Sequence, residues 1–209
     1  MIKKVTALVL IFLVFACKDE KREQEVKTGI DEKVNVPKSI VLPNYPLWKT
    51  KNITLKDNGN NFDIYDVFDV KRGTAKETSY LMIDNFSVSK GSLCKAAVIA
   101  KKGSSNSLFG LRIMGAYPNR IDALFNLEEG LEKETKITGG FSNGSSKIEH
   151  IEDGWYKCTI EAIVNTSDVK IIIGPTSNDS KTITWEADTN NQEHIQILPS
   201  SLIFEELAN

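Results

Sequence analysis

Two guanidinium groups, a carboxylate and a phenol fall in one short stretch: Arg112, Tyr117, Arg120 and Asp122. Arginine is a planar fork that holds a carboxylate or a pair of sugar hydroxyls through two parallel bonds. Alternating apolar and polar residues over Leu108–Met114 and 120–127 read as two strands. The linker Gly115-Ala116-Tyr117-Pro118-Asn119 suits a hairpin loop. Centring that hairpin on Tyr117 sets Arg112 opposite Asp122 and Met114 opposite Arg120, on the face away from Ile113, Ile121 and Phe125. Such a face is a saccharide platform, best matched to acidic sugars. The plainer reading is a cross-strand ion pair on a solvated face, worth a few tenths of a kcal/mol. Charged outer faces are common in antiparallel sheets, which favours the plainer reading.

The three tryptophans extend the same question, since an indole offers a flat apolar face to a pyranose. Trp185 shares parity with Ile183 and Ala187 and is expected in the core; Trp48 is expected to cap the end of the domain. Trp155 falls on the polar side of its strand, where it either contacts ligand or covers an edge of the fold. Metal binding has little support. His150 and His194 are isolated and lack zinc spacing. Asp57, Asn58, Asn60 and Asp63 offer oxygens that suit a structural calcium, or equally the side-chain-to-backbone bonds of a turn. No cofactor is expected. Catalytic patterns are sparse: Gly-x-Ser-x-Gly is absent. Asp122 and Glu161 lie on polar strand faces and are candidates for a carboxylate pair in glycoside cleavage. Tyr117, His150 and Arg120 are the loose candidates for a lyase.

These residues are carried by strands. From Trp48 onward the apolar period is two, with candidates at 62–70, 80–88, 92–101, 147–151, 156–164, 169–173, 182–187, 194–198 and 201–207. Turn signals separate them at Asp57-Asn58-Gly59-Asn60, Lys102-Gly103-Ser104, Gly139-Gly140, Asp153-Gly154 and Gly174-Pro175. Only 126–133 carries a helix hint, which Gly130 weakens. The expectation is an all-β chain folded as an antiparallel β-sandwich. Cys94 and Cys158 sit inside strands facing the core, where two buried thiols are favoured over a bridge.

Residues 18–45 are rich in charge, poor in aromatics and close on prolines, which describes a flexible tether. The chain has 209 residues, so the domain expected over 46–209 is large enough for one core. Lys3 and Lys4 precede an unbroken apolar run that ends at Cys17. This is the layout of a secretory signal peptide over 1–16, and the run is too short to span a bilayer. Without Lys3 and Lys4 the formal charge moves from −2 to about −4, which argues against nucleic acid or an anionic membrane face as partner.

Val14-Phe15-Ala16-Cys17 resembles the lipobox of bacterial lipoproteins, which implies that Cys17 carries lipid such as palmitate and begins a lipidated tether over 17–45. Lys18-Asp19-Glu20 looks like the export signal of surface-displayed lipoproteins of the Bacteroidota. The resemblance implies an outer-membrane location, with display at the cell surface and membrane contact through the anchor only. Leu108–Met114, then 123–130, then Asp153-Gly154-Trp155-Tyr156-Lys157-Cys158, and the closing Phe204-Glu205-Glu206-Leu207 resemble strands of jelly-roll domains similar to carbohydrate-binding modules. That likeness implies a jelly roll whose partner is a glycan or polysaccharide; it carries over no ligand residue one by one, and Arg112, Tyr117, Arg120, Asp122 and Trp155 are candidate contacts on their own chemistry and placement. A small lyase or glycosidase on the same fold, and a protein-docking subunit of an outer-membrane complex, are the alternatives.

Overall fold

The computed structural model describes residues 37–40, 42, 44–75, 77–104, 108–176 and 194–207. Cys17, Trp185 and the strand expected at 182–187 lie outside them. The sandwich belongs to the unit Val34–Asn209. Its strands are β1 (Lys38–Ser39), β2 (Lys49–Lys51), β3 (Ile53–Phe62), β4 (Tyr65–Arg72), β5 (Tyr80–Ser87), β6 (Leu93–Lys102) and β7 (Leu108–Met114). They continue with β8 (Arg120–Asn126), β9 (Leu131–Thr138), β10 (Ser142–His150), β11 (Trp155–Ile163), β12 (Asp168–Pro175) and β13 (His194–Leu207). A 3-10 turn at Tyr45–Leu47 is the one helical element among the described residues.

Every pairing is antiparallel, in two sheets. The first runs β10-β11-β6-β13-β4-β3, with β1 also on β13; the second runs β2-β5-β12-β7-β8-β9. Eight strands nest in pairs: β4 with β13, β5 with β12, β6 with β11 and β7 with β8. Alternate pairs lie in alternate sheets, which is a long hairpin rolled up on itself, the jelly-roll form of the sandwich.

Alternation explains the packing. On β6 three of the four inward residues are small (Cys94, Ala96 and Ala100, with Val98 the fourth), and they meet large neighbours: Ala96 lies between Ile160 and Phe204, and Ala100 between Tyr156 and Ile197. The second sheet answers with Phe109 beside Phe125, Leu111 beside Ala123 and Ile113 beside Ile121, all fully buried. Large set against small is how facing layers interdigitate at native density. Cys94 and Cys158 are buried free thiols, as expected. Burial pushes the Cys94 thiol up to about 11 and the Cys158 thiol well above its ordinary value, so neither is a nucleophile at neutral pH.

Several elements differ from expectation. The helix hint at 126–133 is a turn and the start of β9, whose exposed residues alternate weakly because it is an edge strand. Asp57-Asn58-Gly59-Asn60 is a bulge inside β3, where the register with β4 slips between Asp57 and Asn61; the chain reverses at Asp63-Ile64 instead. The 194–198 and 201–207 segments form one strand, β13, broken in register between Leu198 and Ile203. The fold also reaches into the expected tether: β1 pairs with Glu205 and Glu206, and Ile40 and Leu42 pack on the core. The Asp153-Gly154 turn is as expected, with both residues at positive φ, as a tight type I′ hairpin requires.

Glu206 closes this end of the molecule. Its Oε1 accepts the Ser89 N–H at 2.6 Å, and Lys38 Nζ lies 3.8 Å from Oε2. The Ser89 bonds hold its carboxyl below the ordinary glutamate value, against the opposing effect of burial. A depressed carboxyl stabilises the fold above its unfolded pKa of about 4.3, and that stability is lost as pH falls through the folded value. Glu206→Gln is therefore expected to cost about 1 kcal/mol at neutral pH and to flatten the acid limb of a stability-against-pH curve. An unchanged acid limb would remove Glu206 from acid unfolding.

Candidate functional site

The hairpin β7–β8 has the register expected of it: Arg112 opposite Asp122 and Met114 opposite Arg120. The row crosses the whole outer face of the second sheet as Lys49, Met82, Ile172, Arg112, Asp122 and Lys136. Asp122 is the hub. Arg112 Nε donates to its Oδ1, and Arg120 Nε donates to its Oδ2 at 3.0 Å. The Arg112 and Asp122 side chains are 10% and 7% exposed, whereas Arg120 is 24% exposed. Burial lowers the Arg112 pKa from its ordinary value, and Asp122 opposes that shift.

Arg112 and Asp122 thus form a buried pair rather than the open face expected. The contacting groups that remain accessible are Arg120 and Tyr117. Tyr117 is 78% exposed at the tip of the β7–β8 loop, and the Arg120 guanidinium carbon lies 5.9 Å from its ring centroid. The loop is closed by Gly115 N–H to Asn119 O (3.0 Å) and Asn119 N–H to Ala116 O (2.9 Å), with Gly140 N–H donating to Asn119 Oδ1 at 2.7 Å. It also packs closely on its neighbour: a Cβ at Gly115 would stand 2.3 Å from Thr166 Cγ2. Beside it a cavity of about 250 Å³ is lined by Asp84, Met114, Gly115, Ala116, Asp168 and Lys170. Met114 joins this cavity to Arg120 through the cross-strand pair.

Trp155 is not part of this site. It stands on the outer face of the first sheet, 4% exposed, in a small second core with Val67 and Leu198. The tip of the β3–β4 hairpin folds onto it, with Phe62 5.1 Å from its ring and Lys101 Nζ 5.7 Å above it. Strand alternation puts Trp155 on the polar side of β11, and the tip of β3, remote in sequence, supplies its cover. Trp48 is 7% exposed and belongs to the main core.

The catalytic candidates are not brought together. Asp122 and Glu161 lie on the outer faces of opposite sheets, so they flank no common bond. His150, at the far end of β10 from the Gly140–Asn119 contact, is about 25 Å along the strand from Tyr117 and Arg120; it packs edge-on to Tyr156. Two of the oxygens considered for calcium bond within the β3 bulge: Asp57 Oδ1 accepts the Gly59 N–H and Asn58 Oδ1 the Asn60 N–H. Among the described residues, no three His, Cys, Asp or Glu side chains converge as a metal site.

One grouping has no signature in sequence. Ser104, His194 and Asp69 are far apart in the chain but adjacent through the strand order β4-β13-β6. His194 Nδ1 lies 3.0 Å from Ser104 Oγ, and Nε2 lies 3.1 Å from Asp69 Oδ1. The order of groups resembles a serine nucleophile with its base, but Nδ1 also accepts the Ser104 backbone N–H at 3.0 Å. An imidazole nitrogen has one in-plane lone pair, so that bond holds the chain end of β6 rather than activating the hydroxyl. Burial raises the Asp69 pKa, but hydrogen bonds from Asn58 and Gln196 and the neighbouring His194 outweigh it and leave the carboxyl below its ordinary value. The cluster is a structural lock. Compared with known proteins, the chain matches no family model and no curated protein.

Proposed function

We propose that this chain is a lipid-anchored outer-membrane lipoprotein, displayed at the cell surface, whose sandwich binds an acidic glycan without catalysis. The observation that carries the binding reading is the exposed Tyr117 ring beside the Arg120 guanidinium, on a loop held by two backbone hydrogen bonds and one to the Asn119 side chain. A fixed phenol offers a flat apolar surface to a sugar ring. Arg120 gives its Nε to Asp122, and its terminal nitrogens suit a uronate carboxylate. Lys136 and Lys170 neighbour this rim and add positive charge. The anchor is supported by the lipobox resemblance at Cys17 and by the charged segment that follows it.

Arg120→Ala is expected to weaken binding to polygalacturonate by about tenfold. Arg120 is the outer partner and Asp122 keeps its bond from Arg112, so the loss should be no more than about 1 kcal/mol and the melting temperature should move little. Isothermal titration and a thermal melt of the same protein check this; a matching fall in stability with binding intact would return Arg120 to a structural role. Cys17→Ala is expected to shift the protein from the membrane fraction to the soluble fraction. Retention at the membrane would refute the anchor.

A further inference from the structure

Two strands share one edge of β13 without meeting. β4 pairs with His194 to Ile197, and β1 pairs with Glu205 and Glu206. Between them the register with β6 slips, and residues 199–202 bulge. The incoming chain cannot follow a bulged edge, and it crosses instead to the second sheet through the turn Tyr45–Leu47. The gap left behind is a cavity of about 530 Å³, lined by Ser39, Asn44, Tyr45, Trp48, Ser200 and Leu202 among others.

We propose that this gap is a binding site for a neutral sugar ring, separate from the Arg120 rim and independent of that reading. Its size lies within the roughly 300–1,000 Å³ of small-ligand sites. Its described lining carries no charged side chain, so an ionised ligand would lose hydration without gaining a counter-charge. Two aromatic residues line it. Trp48 is anchored in the core, and Tyr45, 37% exposed, rests on Phe68 with ring centroids 4.5 Å apart. Rings held in this way present flat apolar faces at low entropic cost. Asn44, Ser39 and Ser200 supply uncharged donors and acceptors around them, which match the hydroxyl edge of a hexose or pentose. Ile40, Leu42, Pro199, Leu202 and Ile203 complete the lining, and the apolar C–H face of a sugar ring would lie against them while its hydroxyl edge meets the polar groups.

The test is isothermal titration of the full chain with cellotetraose, xylotetraose, mannotetraose and laminaritetraose. At least one should bind, with affinity indifferent to added salt and unchanged in Arg120→Ala. Tyr45→Ala and Asn44→Ala should each weaken it about tenfold. Asn44 is exposed and guards against a folding defect in the tyrosine variant. Ser200→Trp, at an exposed position on the rim, should block entry. Binding of none of the four, or binding indifferent to all three substitutions, would overturn the site. Loss of polygalacturonate binding in Arg120→Ala with no neutral sugar bound would sink this proposal alone. Neutral binding with no acidic binding would sink only the rim.

Discussion

Trp155→Ala is expected to lower the stability of the sandwich by about 3–5 kcal/mol, the usual cost of emptying a buried indole site. For a domain of this size that is a fall in melting temperature of roughly 10 °C. Trp155 fills the space between Phe62, Val67 and Leu198, and its loss would also free the β3–β4 hairpin tip that closes over it. Binding of polygalacturonate should be unaffected, because Arg120 and Tyr117 lie on the other sheet. A tryptophan that stacked on ligand would behave in the opposite way, with binding lost and the melt unchanged. That pattern would contradict the packing described for the first sheet.

Asp122→Ala is expected to cost about 3 kcal/mol, well above the few tenths of a solvated pair. The substitution removes the acceptor of both Arg112 Nε and Arg120 Nε while leaving the Arg112 charge buried. Replacing both partners distinguishes a lost pair from a lost shape: Arg112→Met with Asp122→Leu should recover most of the stability, since apolar residues of similar volume avoid the desolvation cost. A chemical denaturation series on the three proteins checks this. If the single variant loses less than about 1 kcal/mol, the row is an ordinary charged surface.

Much of the architecture was legible locally. The hairpin register of Arg112 with Asp122 follows from strand parity and loop length, because a two-residue period leaves no other face for Ile113 and Ile121. Asp153-Gly154 names its own turn, and the inward placement of Cys94 and Cys158 follows from alternation. The failures have common causes. Edge strands such as β9 lack a buried face and so show little pattern. Gly59 marks a bulge as readily as a turn, since both accept positive φ. Trp155 and the Ser104–His194–Asp69 cluster depend on strands remote in sequence.

The amino-acid sequence by itself determined the class of fold, the pairing within the β7–β8 hairpin and the expectation of a lipid anchor at Cys17, since each depends on residues close together in the chain. Tertiary structure alone decided which polar-face residues are covered. Trp155 is buried because the tip of the β3–β4 hairpin lies over it, and Arg112 and Asp122 are buried as a cross-strand pair, while Tyr117 stays exposed at its loop tip. The same holds for the cavity beside β13, which exists because two distant strands share one edge and leave a gap between them.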